Sequence, residues 1–281
     1  MPKISDNNML VRIISGTFLL IAAIFFLLFG GLPLLLILLF CSEVGLFEFY
    51  RATKVLPEGK IFSPLSVTGY LLTGVFYFFL FWKNDTEHML FIAVSLIVIT
   101  MMIYVFTFPK YHADQIAYCI FGFLYVPLML SFVYRVRALE HGIFTVWLIF
   151  LASWVCDTCA YLTGMAIGKH KLAPVLSPKK SIEGAIGGIL GSVLAGFLYS
   201  YFVLEKQMPG TLIGILIVCA VGAVVSQTGD LAASAIKRNH EIKDYGHLIP
   251  GHGGILDRFD SVIFTAPMIF FLIVFVVNLF M

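Results

Sequence analysis

Nine apolar runs, each about as long as a bilayer is thick, leave this chain one broad way to fold. They are residues 10–29, 32–50, 64–82, 89–108, 114–134, 143–164, 183–203, 211–236 and 259–280. Hydrocarbon offers no partner to a backbone N–H or C=O, so a segment that crosses it must satisfy those groups internally, and about 20 residues of helix span it. Only 12% of the residues are charged, against roughly 25% in soluble domains. The expected fold is therefore all-α: a polytopic membrane protein of about nine transmembrane helices. The first run follows Lys3 and Arg12 but shows no small-x-small cleavage site, and Pro33 opens another run at once, so it reads as a retained helix rather than a leader. No internal repeat or Gly/Ser linker is evident. The natural division is residues 1–140, helices without an assigned role, and residues 141–281, the region that holds the polar loops at 165–182 and 237–258.

An odd number of spans puts the two termini on opposite faces. Fourteen of the eighteen Lys and Arg residues then fall on the side of the N-terminus, leaving only Lys83, Arg135, Arg137 and Lys206 on the other. Basic loops mark the cytoplasmic side, so the N-terminus is expected in the cytoplasm and the C-terminus outside. The same count brings both polar loops, Asp157, Asp230 and Asp260 to one cytoplasmic level. The five cysteines all sit in apolar runs, which argues against a disulfide framework. Cys156 and Cys159 form a CxxC with no second pair and read as small membrane residues.

The polar chemistry is concentrated in few places. On the eighth run Ser226, Asp230, Ser234 and Arg238 recur every four residues and share a helix face. A carboxylate inside an apolar run must be paired, protonated or metal-bound. Asp157, on the sixth run, could ligate metal, orient a base or hold two helices together. Asp257 and Asp260 are three apart at the start of the ninth; acids suit a helix N-terminus for dipole reasons alone, but Arg258 and the preceding His252-Gly253-Gly254 also suit an anion and metal site. Gly251, Gly253 and Gly254 are expected to let backbone N–H groups approach a ligand. In the 165–182 loop the lysines stand in a Ser-Pro-Lys-Lys-Ser order, and Ser181 and Glu183 can cap the seventh helix, whose N-terminus favours phosphate. That helix carries rows of small residues from Gly184 to Gly196, the mark of close helix packing. The acids of the first 140 residues read as interfacial, with Glu43 as the exception.

These residues together resemble the phosphatidate cytidylyltransferase family. Its C-terminal signature is matched by Ser234, Lys237, Arg238, Lys243, Asp244, His252, Gly253, Gly254, Asp257, Arg258 and Asp260, and its upstream stretch by Asp157, Tyr161, Gly164, Lys169, Pro174, Ser177, Lys179, Lys180, Ser181, Glu183 and Gly184, with Gly229-Asp230 besides. The resemblance spans about residues 150–262; the earlier helices look generic. It implies cytidylyl transfer from CTP to phosphatidic acid at the cytoplasmic surface of a bacterial inner membrane. It also implies Mg²⁺, with a second cation left open, and a homodimer; no nucleic acid is expected as a partner. On this reading Asp157, Asp230, Asp257 and Asp260 hold metal. Lys243, Asp244, His252 and Arg258 complete the catalytic set. Lys169, Ser177, Lys179, Lys180, Ser181, Ser234, Lys237, Arg238, Gly253 and Gly254 bind substrate. Two other classes fit less well. A transporter would spread its ionisable residues near the midplane, often in repeated halves, and the acidic motif of the CDP-alcohol phosphotransferases is absent.

Overall fold

The computed structural model describes residues 6–83, 86–249 and 253–280. Nine long helices run through them: α1 (Asp6–Phe29), α2 (Gly31–Ala52), α3 (Pro64–Trp82), α4 (Thr86–Thr107), α5 (Ala113–Arg137), α6 (Gly142–Ile167), α7 (Ile182–Phe202), α8 (Leu212–Asn239) and α9 (Leu256–Phe280). From α2 onward, eight are long and apolar enough to cross a membrane; α1 contributes a shorter apolar stretch, Ile14–Phe29. The chain is an all-α, polytopic integral membrane protein. Large apolar side chains such as Phe91, Val105 and Phe106 on α4 are exposed, which in a bilayer means exposed to lipid tails. The ninth helix begins at Leu256, three residues before the expected start, so Asp257 lies inside its first turn.

Local chemistry sets several boundaries. Ser63 and Ser66 form a reciprocal cap before Pro64: the Ser66 N–H donates to Ser63 Oγ at 3.2 Å and the Ser63 N–H to Ser66 Oγ at 2.8 Å. Pro127 lies in a π turn of α5, Leu124–Leu128, where its missing N–H disturbs the ladder. A second π turn, Leu151–Val155, interrupts α6 just before Asp157.

The 165–182 segment departs from the expected plain loop. It holds an antiparallel hairpin, β1 (Lys171–Ala173) and β2 (Ser177–Ser181), with Lys171 opposite Ser181 and Ala173 opposite Ser177. Pro178 is tolerated because a two-stranded ribbon is all edge. The lysine-rich sequence lacks the apolar alternation by which strands are recognised.

The chain packs into two compact units, and they differ from the expected split at residue 140. One comprises residues 1–131 together with His240–Arg258; the other comprises Phe132–Asn239 and Phe259–Met281. The 240–258 segment, expected among the C-terminal elements, thus belongs with the N-terminal helices. In that first unit the core is aromatic. Phe49, Tyr50, Phe121 and Tyr125 meet at centroid distances of 5.5–6.5 Å. The Tyr50 hydroxyl donates to Cys119 O at 2.9 Å, and Ser42 Oγ lies 2.7 Å from Tyr77 Oη.

In the second unit α7 lies against α6 along the small-residue row. A Cβ at Gly184, Gly187, Gly188 or Gly191 would collide with Ala160 O, Thr163, Cys156 or Cys159 respectively. Further along, Gly196 abuts Cys219 of α8. Close approach is what the row was expected to produce, and Cys156 and Cys159 are among the residues it packs on.

Candidate active site

In the second unit, three helices bring carboxylates into one neighbourhood. Asp157 (α6), Asp230 (α8) and Asp260 (α9) stand close enough for their charges to act on one another. The π turn upstream of Asp157 adds a residue to a turn of α6 and so changes the face on which the carboxylate emerges. Gly229 lets α8 approach α9, because a Cβ there would strike Phe264 and the Asp260 carbonyl. Two cations stand near the acids. The Lys180 ammonium, carried by β2, pairs with Asp230 Oδ2, and Lys237, two turns further along α8 and almost wholly buried, acts on Asp260. Asp260 Oδ1 also accepts the Ser261 N–H at 2.8 Å.

Three acids against two lysines leave the cluster one negative charge in excess when all are ionised. Every acid donor is a hard oxygen, which suits Mg²⁺ and not a thiolate-seeking ion. Among the described residues no three His, Cys, Asp or Glu side chains converge tightly enough to close round an ion by themselves. The chemistry of the donors therefore fits the expected cation, while the remaining ligands would have to come from elsewhere, as they do when Mg²⁺ is bound through substrate phosphates.

The hairpin that delivers Lys180 is fixed at its base. The Ser181 hydroxyl accepts the Gly184 N–H at 3.1 Å and so caps α7, as expected. Glu183 also ties down the chain before the hairpin: it accepts the Lys169 N–H at 3.1 Å and the His170 N–H at 3.2 Å, and its Oε1 lies 2.6 Å from His170 Nδ1. The side chains of Lys169 and Lys179 project to the exposed surface, and Ser177 is half-buried at the start of β2. On α8 Ser234 is half-buried and Arg238 exposed.

The first unit holds the rest of the predicted set. Lys243, Asp244 and Arg258 are exposed there; His252 lies outside the described residues. Gly253 takes φ 84°, in the left-handed region that glycine enters without strain, and its carbonyl accepts the Ile249 N–H at 2.9 Å. The expectation that the glycines offer their N–H groups to a ligand needs correction at Gly254. Its N–H donates to Asp257 Oδ2 at 3.0 Å, and the same oxygen takes the Tyr245 N–H at 2.8 Å. Asp257, only 6% exposed, thus commits one oxygen to folding its own loop.

Two residues of this unit correct the sequence reading, which placed Glu48 among the interfacial acids and gave Arg51 no role beyond a basic residue at the membrane face. Glu48 of α2 is 3% exposed. Its Oε1 accepts the Ile255 N–H at 3.1 Å and its Oε2 the Leu256 N–H at 2.9 Å. Arg51, one turn on, donates to Tyr245 O at 2.7 Å. The only signal was an acid and a base three apart at the end of an apolar run, a pattern equally usual at a membrane surface. Glu43, which the sequence did single out, is half-buried.

Comparison with known proteins places the whole chain. The cytidylyltransferase family model matches residues 10–276. A phosphatidate cytidylyltransferase of Bacillus subtilis is 32% identical over 270 residues, covering 95% of this chain and 98% of the relative. Proteins of the same name from Staphylococcus saprophyticus and Staphylococcus aureus (strain COL) are 32% and 33% identical, each over 95% of this chain and 99% of their own length. The match takes in the first five helices, well beyond the 150–262 region where the resemblance was first visible. With that coverage, and with the acids and lysines gathered on α6, α8, α9 and β2, the chain belongs to the cytidylyltransferase family.

Proposed function

We propose that this chain is a phosphatidate cytidylyltransferase, forming CDP-diacylglycerol and pyrophosphate from CTP and phosphatidic acid. The observation that carries the reading is the cluster of Asp157, Asp230 and Asp260 set against Lys180 and Lys237. A cluster of that kind at the end of membrane helices suits one lipid-borne and one water-borne phosphate substrate. An oxygen of the lipid phosphate attacks the α-phosphorus of CTP. The bond from that phosphorus to the bridging oxygen breaks, and pyrophosphate leaves with the electron pair. The attacking oxygen is already ionised, so the chain's task is positioning and charge neutralisation rather than deprotonation.

Asp157, Asp230 and Asp260 would contribute ligands to Mg²⁺ alongside substrate phosphates; when bound, the ion neutralises charge on the triphosphate. Lys180 and Lys237 balance the acids and present positive charge to phosphate oxygens. In the second unit the exposed Lys169, Lys179 and Arg238 draw the anionic substrates in; Lys243 and Arg258 add positive charge to the first unit. Asp257 keeps the 240–258 segment in shape. The site faces the cytoplasm, where CTP is found, with the membrane a bacterial inner membrane; the distribution of basic residues supports this orientation.

The deciding assay incubates purified protein with radiolabelled CTP, Mg²⁺ and phosphatidic acid. The expected product is a lipid-soluble cytidine compound, formed with release of pyrophosphate; its absence from well-folded protein overturns the reading. Binding of Mg²⁺ or Mn²⁺ without substrates, weakened in Asp230→Asn, tests the cation separately. For orientation, cysteines placed at Lys179 and Lys206, which flank α7, should react with an impermeant reagent from opposite sides, the first from the cytoplasm.

A further inference from the structure

The signature segment 240–258 is fastened to α2 through its backbone, in a way that reading its side chains alone does not reveal. The two oxygens of Glu48 are divided between the N–H groups of Ile255 and Leu256. These groups lie at the N-terminus of α9, where helix donors have no partner within the helix and the dipole favours negative charge. The fit is close: a Cβ on either Gly246 or Gly254 would run into the Glu48 carboxylate. Arg51 holds the other end of the segment by donating to the Tyr245 carbonyl, and the Tyr245 N–H goes to Asp257. Glu48, Ile255, Leu256, Tyr245, Arg51 and Asp257 thus form one connected set within the first unit. A carboxylate so deeply buried persists only when its acceptors are filled.

We propose that Glu48 and Arg51 are positioning residues for the cytidylyl transfer: they fix the backbone of the segment that carries Lys243, Asp244, Gly253 and Asp257. Glu48 occupies the amides at the start of α9 that would otherwise be open to an anion, so substrate phosphates are met by side chains of the segment and not by those amides. This gives the N-terminal helices a part in the reaction. It rests on the proposed function for its catalytic consequence, but not for the fastening itself.

Glutamine at position 48 keeps the size but has one acceptor oxygen and sets an NH₂ group against a backbone N–H, so it should release one anchor. Arg51→Lys keeps one donor for the Tyr245 carbonyl, and Arg51→Met keeps none. The test measures amide hydrogen exchange in residues 240–258 together with kcat and KM for CTP, using full-length protein in detergent micelles. Glu48→Gln and Arg51→Met should speed exchange in that segment while leaving the 171–181 hairpin unchanged. Both should lower kcat/KM by about 10- to 100-fold, the usual cost of losing a group that orients a site residue. Arg51→Lys should recover most of the loss, and the exposed Glu58→Gln should behave as wild type. Unchanged exchange in Glu48→Gln overturns the fastening. Accelerated exchange with wild-type kcat and KM in the folded protein overturns the positioning role. Should Glu48→Gln fail to fold, the pair Arg51→Lys and Arg51→Met gives the same decision. Wild-type protein that makes no cytidine lipid would overturn the proposed function instead, and the exchange comparison would still decide the fastening.

Discussion

In the unit built from residues 1–131 and 240–258, the buried acids Glu48 and Asp257 end on backbone N–H groups. In the unit built from residues 132–239 and 259–281, the acids Asp157, Asp230 and Asp260 lie near enough for their charges to interact, and Lys180 and Lys237 act on them. The same functional group is used in two ways. A carboxylate that accepts backbone N–H groups is a structural fixture, because its loss leaves those donors orphaned. Carboxylates crowded together repel, and such an arrangement costs stability that a bound cation or substrate recovers. Stability and turnover should therefore respond differently to substitutions in the two units.

The largest effect is expected at the crowded acids. Asp230→Asn and Asp260→Asn should each lower turnover by about 10²–10³-fold, and the double variant should cost little more than either single one. Melting temperature should hold, because a neutral amide is cheaper to bury than a charge. Multiplying losses in the double variant would show that the two acids do not act as one group. Next in size, Asp257→Ala orphans the Tyr245 and Gly254 N–H groups and should destabilise the protein by about 1–3 kcal/mol, read as a lowered melting temperature, alongside reduced turnover. If Asp257→Ala melted like wild type while Asp230→Asn melted early, the contrast between the units would be reversed. The smallest effect falls on the hairpin. Ser181→Ala removes the α7 cap and should cost about 1 kcal/mol with KM for CTP nearly unchanged; a large rise in KM would move Ser181 from holding the hairpin to holding the nucleotide.

The spans were legible because a membrane helix announces itself by an uninterrupted apolar run, whatever it packs against. The glycine row of α7 and the Ser181 cap were legible because both act within a few residues of themselves. Asp157, Asp230 and Asp260 could be picked out one by one as acids inside apolar runs, and the span count suggested that they share a level. Other features left no trace. Glu48 meets amides more than 200 residues away, and an amide has no side-chain identity for a sequence pattern to match. The 171–181 hairpin lacks the alternation of a half-buried strand. The pairing of Lys180 with Asp230 depends on how the hairpin folds over α8, so a lysine-rich connection could disclose positive charge but not which acid it serves. The membership of residues 240–258 in the N-terminal unit was hidden for the same reason: their order in the chain is not their order in space.

The π turn at Leu151–Val155 makes the aim of Asp157 a matter of counting. Each residue of a regular helix turns the next side chain by about 100°, so one residue gained or lost between Trp147 and Asp157 would swing the carboxylate to another side of α6 and leave the composition almost untouched. A chain of this kind should tolerate many exchanges among the apolar residues of that stretch and almost no change in their number. Lengths there carry information that letters do not: a single-codon deletion upstream of Asp157 would disarm the protein more thoroughly than replacing any of the five residues in the turn.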